Sequence, residues 1–217
     1  MNVKAVIFDM DGVLVDTEPL SDIHMHSHFK RLGLKVSLNY FERFRGITTH
    51  EFWQIIVKEF NLQKSVEELV QEGRASYLKF LSSRKLEPIP SAAKLLDNLQ
   101  KNKIEIALAS SGSKKRIQTI LETCNFTDYF KVIVSADDIT HGKPDPEIYL
   151  KAAKLLKVAP GNCVVIEDAI NGILSAKAAG IKVIGFKTSA MHKQDLSKAD
   201  KIVNSLSKIS TSMLENL

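Results

Sequence analysis

VIFDMDGVLVDTEPL, residues Val6 to Leu20, is the stretch on which the fold turns. An apolar run climbs to Asp9, breaks into a second carboxylate at Asp11 and meets Gly12 at once; Asp16 and Glu18 come next. A short continuous apolar run fits a strand buried on both faces, as in a parallel sheet. Two acids at its carboxyl tip stand where open parallel sheets bind their ligands.

Runs of the same kind recur at Ile104–Ala109, Val132–Val134, Val164–Ile166 and Val183–Phe186, with Lys201–Val203 as a sixth candidate. Between them lie stripes at helical spacing: Ala92, Leu95, Leu96 and Leu99; Ile117, Ile120 and Leu121; Ile148, Ala152, Leu155 and Leu156. This alternation predicts an α/β fold, a Rossmann-like doubly wound parallel sheet. Residues 17–84 break the pattern. They read as four helices: Glu18 to about Arg31, Leu38 to Arg45, Thr49 to Phe60 and Val66 to Leu81, with Gly33, Gly46 and Asn61 at stop positions. The expected organisation is a core from residues 1–16 and 85–217 with a small all-helical domain, 17–84, inserted after the first strand. Leu86–Pro90, stiffened by two prolines, is the expected return linker. The tail beyond Asn204 is expected to form a surface helix.

Bulk properties narrow the class. The chain has 217 residues, 44% hydrophobic and 25% charged, enough to bury a core without a disulfide or a metal staple. Its net charge of +5 is interspersed with acid, and the basic tract Lys114-Lys115-Arg116 is short, so a nucleic-acid footprint is not expected. Cys124 and Cys163 have no metal-binding spacing and are expected to be reduced and buried. The first residues lack the basic start and cleavable apolar stretch of a signal peptide, and no run is long enough to cross a bilayer. The expectation is a cytoplasmic monomer without membrane or nucleic-acid partners.

The residues just past each strand point to chemistry. The first strand delivers Asp9 and Asp11. After the second come Ser110, Ser111, Gly112 and Ser113, after the third a loop carrying His141-Gly142-Lys143-Pro144-Asp145-Pro146, and at the end of the fourth Glu167-Asp168. Asp9, Asp11, Glu167 and Asp168 would crowd one edge, where two like charges about 5 Å apart repel by roughly 3 kcal/mol at an effective dielectric near 20. A hard divalent cation relieves this, and an oxygen-only set without His or Cys favours Mg²⁺ over zinc. Magnesium commonly shares its sphere with a substrate phosphate, whose other oxygens Ser110 and Lys143 would hold.

The constellation resembles the phosphotransferase branch of the haloacid dehalogenase superfamily. Asp9-Met10-Asp11-Gly12-Val13 matches its DxDGx opening motif, Ser110 the Ser/Thr that ends the second strand, Lys143 the lysine of the third motif, here in GKPDP, and Glu167-Asp168 the acidic pair of the fourth. The inserted helices look like the family's small cap. The resemblance implies that Asp9 is a nucleophile forming an aspartyl-phosphate, and that Asp11 is the general acid and then the base, with its pKa raised by acidic neighbours. It implies that Mg²⁺ is held by Asp9, the main-chain carbonyl of Asp11 and Asp168, with Glu167 a direct ligand or the partner of one. Ser110, Ser111 and Lys143 are the implied phosphate binders. The second aspartate argues against dehalogenation, since the dehalogenase branch lacks it.

The nearest-looking subfamily holds beta-phosphoglucomutases and sugar-phosphate phosphatases. The mutases carry a cap arginine where this chain has Thr49, and a first-helix histidine where it has Ser21. A Mg²⁺-dependent phosphatase of small phosphorylated metabolites, with sugar phosphates the substrates the resemblance implies, is therefore the expected function, and a mutase is the alternative. A third reading, from another class, is a non-catalytic phospho-acceptor or phosphate-binding regulator; retention of both Asp11 and Lys143 speaks against it. Glu18, Arg45, Gly46, Thr49 and Lys114 are candidate substrate contacts. Lys114, Lys115 and Arg116 read first as a solvated helix start, with a contact to the substrate's distal groups the alternative for Lys114, and His24, His26 and His28 read as partly exposed imidazoles on a cap helix rather than metal ligands.

Overall fold

The structure is a computed structural model that describes residues 2–44, 47–187 and 195–217. The chain forms two compact units, Met1–Asp16 with Leu86–Leu217, and Thr17–Lys85. The first is built on a sheet of six parallel strands: β1 (Ala5–Phe8), β2 (Glu105–Ala109), β3 (Val132–Val134), β4 (Cys163–Glu167), β5 (Lys182–Phe186) and β6 (Lys201–Val203). Their order is β3-β2-β1-β4-β5-β6. The chain winds outward from β1 through β2 to β3, then returns to the other side of β1 with β4. The order therefore reverses between β1 and β4, where a doubly wound sheet opens its ligand crevice.

Central strands β1 and β4 are buried along their whole length. Strand alternation splits their side chains between two faces. On one face Ala5, Ile7, Ala107, Ala109, Cys163 and Val165 pack on α6 (Glu147–Leu156) and α7 (Ile170–Ala178), through Ile148, Ala152, Ile173 and Ala176. Helix α4 (Ala92–Lys101) packs on β2, burying Leu95, Leu96 and Leu99. Helix α5 (Lys114–Thr123) buries Ile117, Ile120 and Leu121. Both cysteines are buried free thiols. The tail ends in a short surface helix, α8 (Thr211–Glu215), with Leu214 its one buried residue; Leu206 and Ile209 ahead of it are buried too. Among the described residues, no helix is long and apolar enough to cross a membrane.

The second unit contains α1 (Glu18–Arg31), α2 (Thr49–Glu59) and α3 (Val66–Ser82). Capping boxes start two of them, Thr48 with Glu51 and Ser65 with Glu68. Phe29, Phe41, Phe52, Trp53, Ile56 and Leu69 form the core. The segment expected as an α-helix from Leu38 is a 3₁₀ helix, Leu38–Phe44. Its threefold repeat stacks Phe41 and Phe44 on one edge, and both rings meet Phe52, with centroids at 6.3 and 4.9 Å.

The histidines also depart from expectation. His24 and His28 are buried at 4% and 3% exposure. They face α3, where the His24 Nε2 lies 2.9 Å and the His28 Nδ1 3.5 Å from Ser76 Oγ. The Nε2 of His28 has no hydrogen-bond partner among the described residues. Burial, then the neighbouring His28 and Arg31, hold His24 down at about 4; burial and Arg31 likewise lower His28. An imidazole in an unfolded chain takes up its proton near pH 6.5, about the ordinary value. The unfolded chain therefore binds protons that the folded unit refuses, and stability is full above about pH 6.5 and falls as pH drops below it. Thermal melts between about pH 7 and about pH 4.5 should show this unit losing stability with acid, and His24→Leu should flatten the dependence. A melting profile for His24→Leu as steep as that of the parent chain would contradict the assignment.

Candidate active site

Asp9 lies immediately after β1. Its N–H donates to Ile166 O at 3.0 Å, so the pairing with β4 extends to the carboxylate-bearing residue. Just beyond, Gly12 turns the chain with φ +75° and donates to Val15 O at 2.8 Å. A side chain at Gly12 would strike Asp168: a Cβ there would lie 1.9 Å from Asp168 Oδ2. Glycine is required at this position both for its backbone angle and for the carboxylate against it. Gly172, in the first turn of α7, does the same for Glu167, whose Oε1 would lie 1.6 Å from a Cβ.

Lys143 is the hub. Its ammonium donates to Asp9 Oδ1 at 2.6 Å, to Glu167 Oε1 at 2.8 Å and to Ala109 O at 3.4 Å. It also lies 4.9 Å from the ring centroid of Tyr149. Tyr149, fully buried on α6, donates its hydroxyl to Glu167 Oε1 at 3.1 Å, and Ala169 N–H donates to Glu167 Oε2 at 2.8 Å. Both oxygens of Glu167 are thus engaged by protein donors. Burial works against the charge on Lys143, but Asp9 and Glu167 outweigh it and hold its pKa well above the ordinary lysine range.

Arg116 is not part of a solvated helix start, and here the structure corrects the sequence expectation. The side chain turns inward, 19% exposed, and grips Asp11 with both ends of its fork, Nη1 to Oδ2 at 2.7 Å and Nη2 to Oδ1 at 2.6 Å. The stripe Ile117, Ile120 and Leu121 turns Lys115 outward but leaves Lys114 and Arg116 on its two flanks, so only the packing of α5 reveals which one faces in. Tyr149 is a second functional residue that the sequence conceals; its place on the buried stripe with Ile148 and Ala152 marks it as core, not as a hydroxyl donor.

Ser110 ends β2 fully buried, with its N–H donating to Val134 O at 3.0 Å and its Oγ accepting from Gly112 N–H at 3.1 Å. Ser111 is exposed. Lys114 is tied to the loop after β3: its ammonium pairs with Asp138 at 2.6 Å and its N–H donates to Asp137 at 2.8 Å. Thr49 is the exposed first residue of α2, in the other unit. Arg45, Gly46 and the side chain of Glu18 lie outside the described residues.

The four carboxylates interact strongly. Burial, opposed by Lys143 and reinforced by Glu167 and Asp11, pushes Asp9 up to about 7. Burial, then Asp9 and Glu167, push Asp168 up to about 9. Among the described residues of this unit, Asp9, Asp11, Glu167 and Asp168 meet two cationic partners, Lys143 and Arg116, and no donor reaches the Asp168 carboxylate. Positive charge is short around Asp9 and Asp168, and a divalent cation would supply it. Carboxylate oxygens as ligands suit Mg²⁺ rather than zinc.

A parallel sheet with an acidic crevice at its switch point, served by a lysine from the loop before α6, is an α/β site suited to a cation and an anionic ligand. The haloacid dehalogenase-like hydrolase family matches residues 6–186, and the chain belongs to it. It is 34% identical over 181 residues to a phosphorylated carbohydrates phosphatase of Thermotoga maritima, covering 83% of each protein. It is 33% identical to the beta-phosphoglucomutase of Bacillus subtilis over 97% of this chain and 93% of that one. A bifunctional riboflavin kinase/FMN phosphatase of Arabidopsis thaliana is 31% identical over 94% of the chain, which spans only 53% of that longer protein. Among solved structures, a HAD hydrolase, family IA, variant 3, of Entamoeba histolytica superposes with a TM-score of 0.84 at 27% identity, covering 99% of this chain and 98% of that one.

Replacing the hub ammonium tests the charge pairing directly. Lys143→Met should destabilise the metal-free protein by about 3–5 kcal/mol in urea unfolding, because it leaves two buried carboxylates without their cation. Adding Glu167→Gln to that variant should recover part of the loss; strictly additive effects would show that the pair is not coupled.

Proposed function

We propose that the protein is a Mg²⁺-dependent phosphatase of small phosphorylated metabolites, sugar phosphates foremost, acting through an aspartyl-phosphate at Asp9. The observation that carries this reading is the convergence of Asp9, Lys143 and Asp168 at the switch point, with Asp11 two residues from the nucleophile and at the mouth. In the first half-reaction an Asp9 oxygen bonds to phosphorus as the bond from phosphorus to the leaving oxygen breaks, and Asp11 gives that oxygen its proton. In the second, water attacks the phosphorus, Asp11 takes the water's proton, and Asp9 and inorganic phosphate are released. Ser110 and Lys143 hold the phosphoryl oxygens, and Lys143 favours the ionised form of Asp9 against its burial. Asp9, the main-chain carbonyl of Asp11 and Asp168 would hold Mg²⁺, which when bound neutralises charge on the transferring group. With both its oxygens committed to Lys143, Tyr149 and Ala169, Glu167 is assigned to orienting the lysine rather than to the ion.

A mutase is the second reading, favoured by nearly equal identity to the beta-phosphoglucomutase and the phosphatase. A mutase must grip a second phosphate. Ser21 and Thr49 line one concavity of about 220 Å³ in the helical unit, floored by Phe41, Phe44 and Phe52. Its described lining carries the Asp22 carboxylate and no cation, a poor complement to phosphate.

Release of inorganic phosphate from a panel of sugar phosphates with and without Mg²⁺ tests the reading. Turnover should need the metal, and Asp9→Asn should lower kcat by at least about a thousandfold, the scale expected when a nucleophile is removed. Conversion of beta-glucose 1-phosphate to its 6-phosphate with little free phosphate would establish the mutase instead. Phosphate binding without any turnover would establish the regulator.

A further inference from the structure

We propose that Arg116 is a positioning residue for Asp11, fixing the plane and direction of the carboxyl group that serves as acid and base; this rests on the function proposed for Asp11 above. Asp11 lies beyond the end of β1, and its side chain is 34% exposed. The sheet ladder fixes its backbone neighbourhood but not its rotamer. A two-point guanidinium fork, with bonds of 2.7 and 2.6 Å, does what one hydrogen bond or a point charge cannot: it orients a planar group.

The fork is itself held. Arg116 is the third residue of α5, one before the buried Ile117. Its guanidinium passes beside Gly112, where a Cβ would lie 2.9 Å from Nη1 and 3.4 Å from Ser110 Oγ. Glycine at 112 leaves the lane open for the fork, next to the serine proposed to bind phosphate. The start of α5 is anchored in turn by Lys114, through Asp137 and Asp138 of the loop after β3. A continuous chain of contacts thus runs from the β3 loop through α5 to the acid.

The leaving group provides the test. An alkoxide needs a proton as its bond to phosphorus breaks, whereas para-nitrophenolate leaves readily without one. The ratio kcat/KM reports the steps through that cleavage. For Arg116→Met, kcat/KM on an alkyl phosphate such as glycerol phosphate should fall about a hundredfold, the scale of a misplaced general acid, and on para-nitrophenyl phosphate less than about fivefold. Arg116→Lys, which keeps the charge without the fork, should retain most of the alkyl-specific loss. Equal losses on both esters, no loss on either, or full rescue by lysine would overturn the proposal. A crystal structure of Arg116→Met supplies a readout independent of turnover: the Asp11 carboxyl should leave the plane that the fork sets, and an unchanged Asp11 overturns the proposal. If the parent chain hydrolyses neither ester, a sugar phosphate turned over in the panel takes the place of the alkyl ester; if it turns over none, the phosphatase reading fails and that structure alone decides the positioning role.

Discussion

A single buried ammonium, that of Lys143, holds the functional end of the sheet together. Taking a lysine out of water costs several kcal/mol, a cost met only where geometry supplies close opposite charge. Here it comes from two strand tips at once, Asp9 after β1 and Glu167 at the end of β4. The pairing spans the point where strand order reverses, so it closes the crevice that the winding of the chain opens. Tyr149 extends the network into α6, placing its ring near the ammonium and its hydroxyl on Glu167. A loop lysine, two strands and a helix therefore share one electrostatic unit.

Positive charge still runs short around that unit. Asp168 sits against Gly12 with its pKa pushed up to about 9, and Asp9 is pushed to about 7 even with Lys143 beside it. Such values describe carboxylates short of positive charge. A divalent cation among them would restore both to the ionised state, and an incoming phosphate, itself anionic, would deepen the need. The two glycines belong to the same logic. Gly12 and Gly172 give up side chains so that Asp168 and Glu167 can lie directly on backbone, which crowds the acids more tightly than any other residue type would permit.

Much of this is legible in the sequence because it rests on short-range patterns. Buried strands read as apolar runs, and the residues after each run stand at the sheet's carboxyl edge; Asp9, Ser110, Lys143 and Asp168 can be placed there in order without knowing the strand order. Arg116 cannot. Its role depends on how α5 rotates over a loop 105 residues away in sequence, and the helical stripe, which turns Lys115 outward, does not separate Arg116 from Lys114. The 3₁₀ form of Leu38–Phe44 is hidden for a similar reason: aromatic packing against Phe52, a tertiary contact, sets the local period. The burial of His24 and His28 comes with packing against rings on other helices, Tyr77 and Phe80 for His24 and Trp53 for His28, beyond the reach of any window on α1.

Two carboxylates two residues apart must differ if one is to attack and the other to carry a proton, and environment is what makes them differ. Asp9 is 7% exposed and meets a compact ammonium at one oxygen, which supports its charge and leaves the other oxygen available to a reacting atom. Asp11 stands nearer the mouth and meets a planar fork at both oxygens, which governs direction as much as charge. Lysine is suited to the first task because it is a point charge on a flexible stem, and arginine to the second because its donors are fixed in a plane. Exchanging the two cations would preserve the net charge of the crevice and still lose this division, since the deep position needs reach and the outer one needs orientation.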